Sequence, residues 1–480
     1  MGTTTQDDEN HPAMSSAPAT TPPPATGGFT EATFEAFLKS RDEPSWLQDR
    51  RREALAQFRA APWPSFRDEE WRRTDIRPLK LDAFAPPAPH APSAEAKQAL
   101  APAFQTLDAL YGTGIEQIDA VATRPADAGK LPAGVVFVDL ARAVTDHPEL
   151  LRRHLLTEAV APGTDAFAAL HAAFWTGGTL LYVPKGVRVE APLFSLVGLS
   201  AEGRVDLNHT LVVLEEGAEA SLVQETASPG RVGIPGLHVG AVELILGRGS
   251  RLRFVNIQNW DAATWHFSRE RALVGPDAAL QWTVGGLGSR LAKVNQEVAL
   301  TGQGARAQVN GVMFTTGRQH LAYFTRQDHI APHTTSDLLY KGGLKDTSRI
   351  VWKGMIRVEK DAQRTDAYQK DDNLILADTA RADSIPGLEI EANDVRCTHG
   401  ATAGRVDDEM IFYAQSRGVA KETAIRLIVE GFFANVYDRI SLEPVRETLR
   451  QAVAAKLELG TDGTRRATPA GADADPDPGS

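Results

Sequence analysis

The only cysteine of the chain, Cys397, lies two residues before His399 in the segment IEANDVRCTHGATAG. The segment has the pattern of a β-strand, in which side chains two residues apart point to the same face. A thiol and an imidazole on one face can both bind iron, and a nearby histidine favours the thiolate. By spacing alone, a half-buried cysteine beside an incidental histidine is the better explanation. Two ligands are too few for a cluster, so a functional site here requires ligands from another subunit.

His329 and His333 are four residues apart in DHIAPHTTSDLLYKGG, which imitates the helical zinc motif of metalloproteases. Pro332 interrupts a helix at this point, and no Glu follows His329. We therefore predict a strand end or turn with polar packing, and metal binding is the less favoured alternative.

The segment DAYQKDDNLI contains three acidic residues, Asp366, Asp371 and Asp372. Paired acids could cleave polysaccharides, as some solenoid enzymes do, but we predict that they are solvated residues at a turn. The nucleotide-binding pattern GxxxxGK[ST] is absent, so the chain has no ATP site of that kind. A carbohydrate-active enzyme is thus the weaker of two functional classes, and a binding scaffold is the stronger.

Composition limits the remaining possibilities. The chain has 480 residues and a formal net charge of −11, which argues against nucleic acid or an anionic membrane as its main partner. One cysteine can form neither an internal disulfide nor a multi-cysteine metal site. No membrane span or apolar leader is recognisable, so a cytoplasmic protein is expected.

Five regions follow from changes in composition along the chain. Residues 1–28 and 459–480 are predicted to be disordered tails, because they contain almost nothing to bury. Residues 29–165 are predicted to be mainly helical, residues 166–404 to be β-rich, and residues 405–458 to be helical again.

The β-rich region contains a loose repeat of an apolar run, a turn and an alternating strand. The turn positions Gly217, Gly249, Asp277 and Gly304 are 32, 28 and 27 residues apart. Such a unit cannot bury its own apolar face, so stacking of neighbours would build the core. We predict a β-helix or similar stacked-strand solenoid, with a large β-sandwich as the alternative.

The C-terminal helices carry more large apolar residues than one packing face needs, which predicts an exposed patch for a partner. The alternative is that a third helix, near residues 442–457, covers the patch. A chain that ends near Gly404 is expected to keep a folded β-helix.

Residues 328–418 resemble the SufB/SufD family of iron–sulfur cluster assembly proteins. The shared motifs are PHTTS, YKG, DAQRTDAYQ, CTHGAT and FYAQSRG, and the resemblance extends over nearly all of residues 165–435. Two N-terminal segments, SWLQDRRREALAQF and EEWRRTDIRPL, are most similar to SufD. The SufB branch usually has Glu where this chain has Gly400, and it often carries additional cysteines.

The resemblance implies a mainly β protein, a right-handed parallel β-helix flanked by N-terminal and C-terminal helical regions. It implies a non-catalytic subunit of a SufB–SufC–SufD complex, with a transient iron–sulfur cluster at the SufB–SufD interface. His399 would be a ligand or essential polar group there, and Cys397 would be less critical. The SufC ATPase would dock on the C-terminal helices, around Met410, Phe412, Tyr413, Leu427 and Phe432. A homodimer, a SufB-like scaffold acting directly, and a flavin in the complex remain open.

Overall fold

The computed structural model describes residues 28–87, 91–108, 113–200, 204–230 and 234–458. The predicted disordered tails therefore lie outside the described residues, apart from Gly28. The helices are α1 (Glu31–Lys39), α2 (Ser45–Ala60), α3 (Ala94–Asp108), α4 (Leu140–Asp146), α5 (Pro148–His154), α6 (Ala166–Phe174), α7 (Asp408–Ser416), α8 (Lys421–Tyr437) and α9 (Glu443–Glu458).

Strands form two stacked parallel sheets that wind along the chain as eight coils. Sheet A contains β5 (Leu193–Gly198), β8 (Glu219–Ala227), β10 (Arg251–Asn259), β12 (Ala279–Gly286), β14 (Arg306–Thr315), β16 (Thr335–Leu344), β18 (Asp366–Ile375) and β20 (Arg396–Arg405). Sheet B contains β4 (Gly177–Val183), β7 (Asn208–Leu214), β9 (Gly236–Leu246), β11 (Thr264–Val274), β13 (Leu291–Leu300), β15 (His320–His329), β17 (Arg349–Val358) and β19 (Arg381–Ile390). The predicted β-solenoid is confirmed, and the β-sandwich alternative is wrong because neighbouring strands are parallel and one coil apart.

The repeat found in the sequence marks one corner of the solenoid. Gly217, Gly249, Asp277 and Gly304 all have a positive φ, between 57° and 77°. Their backbones stack, since the amide of Gly217 donates to Arg248 O at 2.8 Å and that of Asp277 donates to Gln303 O at 2.9 Å. Glycine adopts this left-handed conformation without steric cost, which explains its recurrence at the corner.

The N-terminal region contains short strands in addition to the predicted helices. Besides α1 to α5, it contains three strands: β1 (Thr113–Ile118), β2 (Val121–Arg124) and β3 (Val136–Asp139). A further short strand, β6 (Val205–Asp206), lies within the solenoid. β1 extends sheet A in parallel next to β5, and β3 pairs antiparallel with β4 in sheet B. These strands therefore cap the first coil. Because β1, β2 and β3 are only four to six residues long, their sequences cannot be distinguished from those of loops between helices.

Helices cover the outer face of each sheet. The N-terminal helices pack on sheet B through Phe34, Phe37 and Phe174, which share a buried cluster with strand residues such as Phe267. On sheet A, α8 and α9 bury Phe433 and Leu449 with strand residues that include Val312, Phe314 and Leu339. Among the described helices, none combines the length and the apolar character that crossing a membrane requires.

The position of α8 and α9 corrects one expectation. They lie on β14 and β16 in the middle of sheet A. A chain that ends near Gly404 would expose this apolar face, so it is not a safe way to test the role of the helices.

Candidate functional site

The last coil of the solenoid is open. Its two strands, β19 and β20, pair with β17 and β18 on one side and with no described strand on the other. In β20, every residue except Cys397 and Gly400 is exposed, whereas β18 one coil earlier is exposed only at Tyr368. An edge strand of this kind presents unpaired N–H and C=O groups that can pair with a strand of another chain.

Cys397 lies on β20 at this end, with its side chain toward the interior of the solenoid. It is half-buried and packs against a small apolar cluster that contains Ile356, Val358 and Ala367. Burial raises the pKa of the Cys397 thiol, and the negative charge of Asp366 raises it further. In the isolated chain these two effects favour the thiol form of Cys397 over the thiolate.

His399 shares the strand face of Cys397, as the i, i+2 spacing predicts, but it is exposed. It pairs in register with Gln369 of β18, which is fully buried. The side-chain Nε2 of Gln369 donates to Gly387 O at 3.0 Å, and the side-chain Oε1 has no protein partner in the described residues. His399 thus lies one coil beyond the buried Gln369, on the exposed strand of the last coil.

The ligand set at this end is incomplete. Within the described ranges, no group of three or more His, Cys, Asp or Glu side chains could hold a metal ion. The chain therefore brings Cys397 and His399 to one open surface without completing a site there.

The sequence did not predict that a carboxyl group, that of Asp371, is buried one coil before the open end. Asp371 is fully buried, and its Oδ2 accepts hydrogen bonds from Ser384 Oγ at 2.5 Å and Asn373 Nδ2 at 2.6 Å. Burial raises the pKa of Asp371 to about 7. The prediction of solvated acids at a turn is wrong, because Asp371 and Asp372 lie within β18 and are both buried. Two adjacent acidic residues do not have the apolar alternation by which a strand is recognised in a sequence.

His329 and His333, the two histidines four residues apart, lie at a strand end and in the turn that follows it. His329 ends β15 and is fully buried, with its ring nitrogens 2.7 Å from Thr334 Oγ1 and 2.8 Å from Ser336 Oγ. His333 lies in the following turn with φ 57°. The strand end with polar packing is as predicted, and both ring nitrogens of His329 are occupied by hydroxyl groups.

The C-terminal helices expose large apolar side chains. Phe412 is 73 % exposed, and Met410, Tyr413 and Leu427 are each more than half exposed. Phe432 differs, because it packs partly into the cluster under α8, with Lys341 Nζ 4.3 Å from its ring centroid. The third helix, α9, forms as predicted but leaves the other four side chains uncovered. In α7 only Ile411 is buried, so the other large apolar side chains of this helix face solvent in the isolated chain.

Fold and site together define a β-solenoid protein whose last coil is open at one edge. Two family models match the chain: the SufBD core domain of the SUF system for FeS cluster assembly over residues 197–432, and the SufBD protein N-terminal region over residues 33–194. The chain belongs to the SufB/SufD family of iron–sulfur cluster assembly proteins.

Curated relatives agree with this assignment. The chain is 27% identical over 428 residues to the iron–sulfur cluster assembly protein SufB of Bacillus subtilis, covering 87% of this chain and 90% of that protein. It is 27% identical over 429 residues to a SufBD family protein of Staphylococcus epidermidis, with the same coverage of both chains. A SufBD family protein of Staphylococcus aureus is 26% identical over 429 residues.

Proposed function

We propose that this protein is a SufD-type subunit of a SufB–SufC–SufD scaffold and that its open last coil docks on SufB. The observation that carries the proposal is the unpaired edge of β19 and β20, which bears Cys397 and His399 beside exposed apolar residues. Leu388 and Ile390 of β19 are 37 % and 40 % exposed there. A partner coil would pair the free backbone groups and cover these apolar side chains.

The nascent iron–sulfur cluster is the cargo of this interface. Imidazole and thiolate are both suitable iron ligands, and this chain offers one of each. His399 is exposed and free to reach a shared site, whereas Cys397 is half-buried with a raised pKa. His399 is therefore the principal contribution of this chain, and SufB supplies the remaining sulfur ligands.

The choice of SufD over SufB rests on the sequence beside the site. Gly400 follows His399 where SufB usually has Glu, and Cys397 is the only cysteine of the chain. One observation favours the alternative of a SufB-like or homodimeric scaffold acting directly, since the Bacillus subtilis relative is called SufB. The two candidates differ in whether the chain needs a partner for cluster assembly.

The C-terminal helices are the proposed docking site for the SufC ATPase. Met410, Phe412 and Tyr413 of α7 and Leu427 of α8 are the exposed apolar side chains available for this contact. ATP hydrolysis would take place in SufC, and this chain would act as a non-catalytic scaffold. A movement of SufC would be transmitted from α7 and α8 to the cluster site, because the solenoid connects these helices to the last coil.

Co-expression tests the proposal. The chain is produced alone, with SufB and SufC, and with SufC only, and each sample is purified without oxygen for size, iron and sulfide measurement. We expect a complex of all three proteins with bound iron and sulfide, and little of either in the absence of SufB. Equal iron and sulfide loading of the chain without SufB would favour the SufB-like scaffold instead.

A further inference from the structure

An open cleft lies at the other corner of the solenoid, away from the last coil. It has a volume of about 710 Å³, within the range of small-molecule sites. Three parts of the chain line it: Asp75 from the N-terminal region, Arg290 and Arg318 from the turns after β12 and β14, and Lys456 from the last turn of α9. A ligand bound here would touch all three parts.

The cleft contains three cations without a carboxylate partner in the described part of the chain: Arg290, Arg318 and Lys456. Arg290 and Arg318 are exposed, and the Arg290 guanidinium lies 5.1 Å from the ring centroid of Trp265. Lys456 Nζ donates to two neutral oxygens, Leu287 O at 2.7 Å and Gln319 Oε1 at 2.9 Å. Burial lowers the pKa of Lys456 to about 8, so it is still mostly charged at pH 7.

The acidic groups around the cleft offset these charges only in part. Asp346 Oδ2 accepts a hydrogen bond from the backbone amide of Gly317 at 2.7 Å, in the turn that carries Arg318. Asp75 is paired with Arg77, whose Nη2 lies 2.8 Å from Asp75 Oδ2. Burial lowers the pKa of His320 to about 4, so this imidazole is neutral at pH 7. The residues that line the cleft therefore carry a net positive charge, in a chain whose net charge is −11.

Gln319 links Lys456 to the turn that carries Arg290. Its Nε2 donates to Ser289 O at 3.0 Å, beside Arg290, and its Oε1 accepts the bond from Lys456. The amide of His320 donates to Arg290 O at 3.0 Å, which joins the two turns that carry the arginines. Trp260, 1 % exposed, lines the same cleft and has an Nε1 donor without a protein partner in the described residues.

We propose that this cleft binds a small molecule with several phosphate or carboxylate oxygens. Arginine and lysine bind such groups through charge-assisted hydrogen bonds, and these are stronger than neutral ones. Cations held close together without counter-ions repel one another, and an oligoanion would relieve that repulsion. The Trp260 indole would offer an additional donor at the wall.

Calorimetric titration of the full chain tests the proposal, with inorganic pyrophosphate and citrate as probes in low-salt buffer at pH 7. The test variant is R290Q/R318Q, which removes two exposed charges. The control is R306Q, which removes an exposed arginine at the opposite end of β14, roughly 30 Å from Arg318 along the strand.

We expect one saturable site for at least one probe, an affinity at least tenfold weaker in R290Q/R318Q, and no change in R306Q. Binding of pyrophosphate alone would identify phosphate as the recognised group, and binding of citrate alone would identify carboxylate. The proposal is overturned if neither probe saturates the protein at millimolar concentration, or if the test and control variants bind equally well.

Discussion

His399 and Gln369 are paired in register on neighbouring strands, yet Gln369 is fully buried and His399 is exposed. The side chains change from buried to exposed over a single coil, which shows that no described residues cap this end of the solenoid. A side chain that would belong to the core in any earlier coil is here available to another protein. The function proposed for His399 depends on this relationship.

The first prediction concerns His399→Ala. Because the imidazole is exposed and no hydrogen bond holds it to the described residues, the free energy of unfolding should change by less than about 0.5 kcal/mol. Iron and sulfide in the co-expressed complex should fall several-fold. The matched control is His333→Asn, which removes an exposed imidazole at a left-handed turn position that Asn tolerates. Equal loading in both variants would remove His399 from the site.

Cys397→Ala should have a milder effect on the cluster. The thiol is half-buried, and its raised pKa disfavours the ligating thiolate. The variant should lose about 1 kcal/mol of stability from the packing of the small apolar cluster and retain most of its iron and sulfide. Complete loss of the cluster in a folded complex would argue for a SufB-like role.

Phe412→Glu tests the docking of SufC without removing the helices that cover sheet A. Since Phe412 is 73 % exposed, the fold should be unaffected. A charge at the centre of an apolar contact should weaken SufC binding at least tenfold, or by about 1.4 kcal/mol or more. The control is Ala455→Glu on the exposed side of α9. Calorimetry that finds the same SufC affinity in both variants would place the contact elsewhere.

The stability of the solenoid should depend on pH through Glu270. Burial raises the pKa of this carboxyl to about 7 despite hydrogen bonds from Ser268 and Asn256. The folded state therefore binds the proton more tightly than the unfolded state, and stability is lost as the pH rises from about 4.5 to about 7. Glu270→Gln should reduce this loss by an amount on the order of 2–3 kcal/mol. The free energy of unfolding is measured with denaturant at pH 5 and pH 8 for both proteins. The same change between the two pH values in Glu270→Gln and in the wild type would contradict the role of Glu270.

The sequence predicted the solenoid because its corner requires a left-handed residue in each coil, and Gly217, Gly249 and Gly304 satisfy that need. It also predicted the shared face of Cys397 and His399, since a strand alternates strictly. It did not predict that one is half-buried and the other exposed. That difference depends on where the solenoid stops, which is a property of the whole stack.

Two other features were beyond the sequence for related reasons. Asp371 is held inside the solenoid by Ser384, a residue of the following strand, so only the folded coil explains its burial. The strands β1 and β3 acquire their role by pairing with β5 and β4, which lie far from them in sequence. Pairing between distant segments leaves no local pattern in a short strand.

Hydrogen–deuterium exchange in the presence and absence of SufB measures whether β19 and β20 form the interface with SufB. In the free protein, roughly half of the β20 amides should exchange rapidly, because alternate N–H groups of an edge strand point away from its neighbour. We expect SufB to protect these amides and those of β19, while the exchange of amides at the corner near Gly217 is unchanged. Binding of SufB that leaves β19 and β20 exchanging at their original rates would contradict the proposed interface.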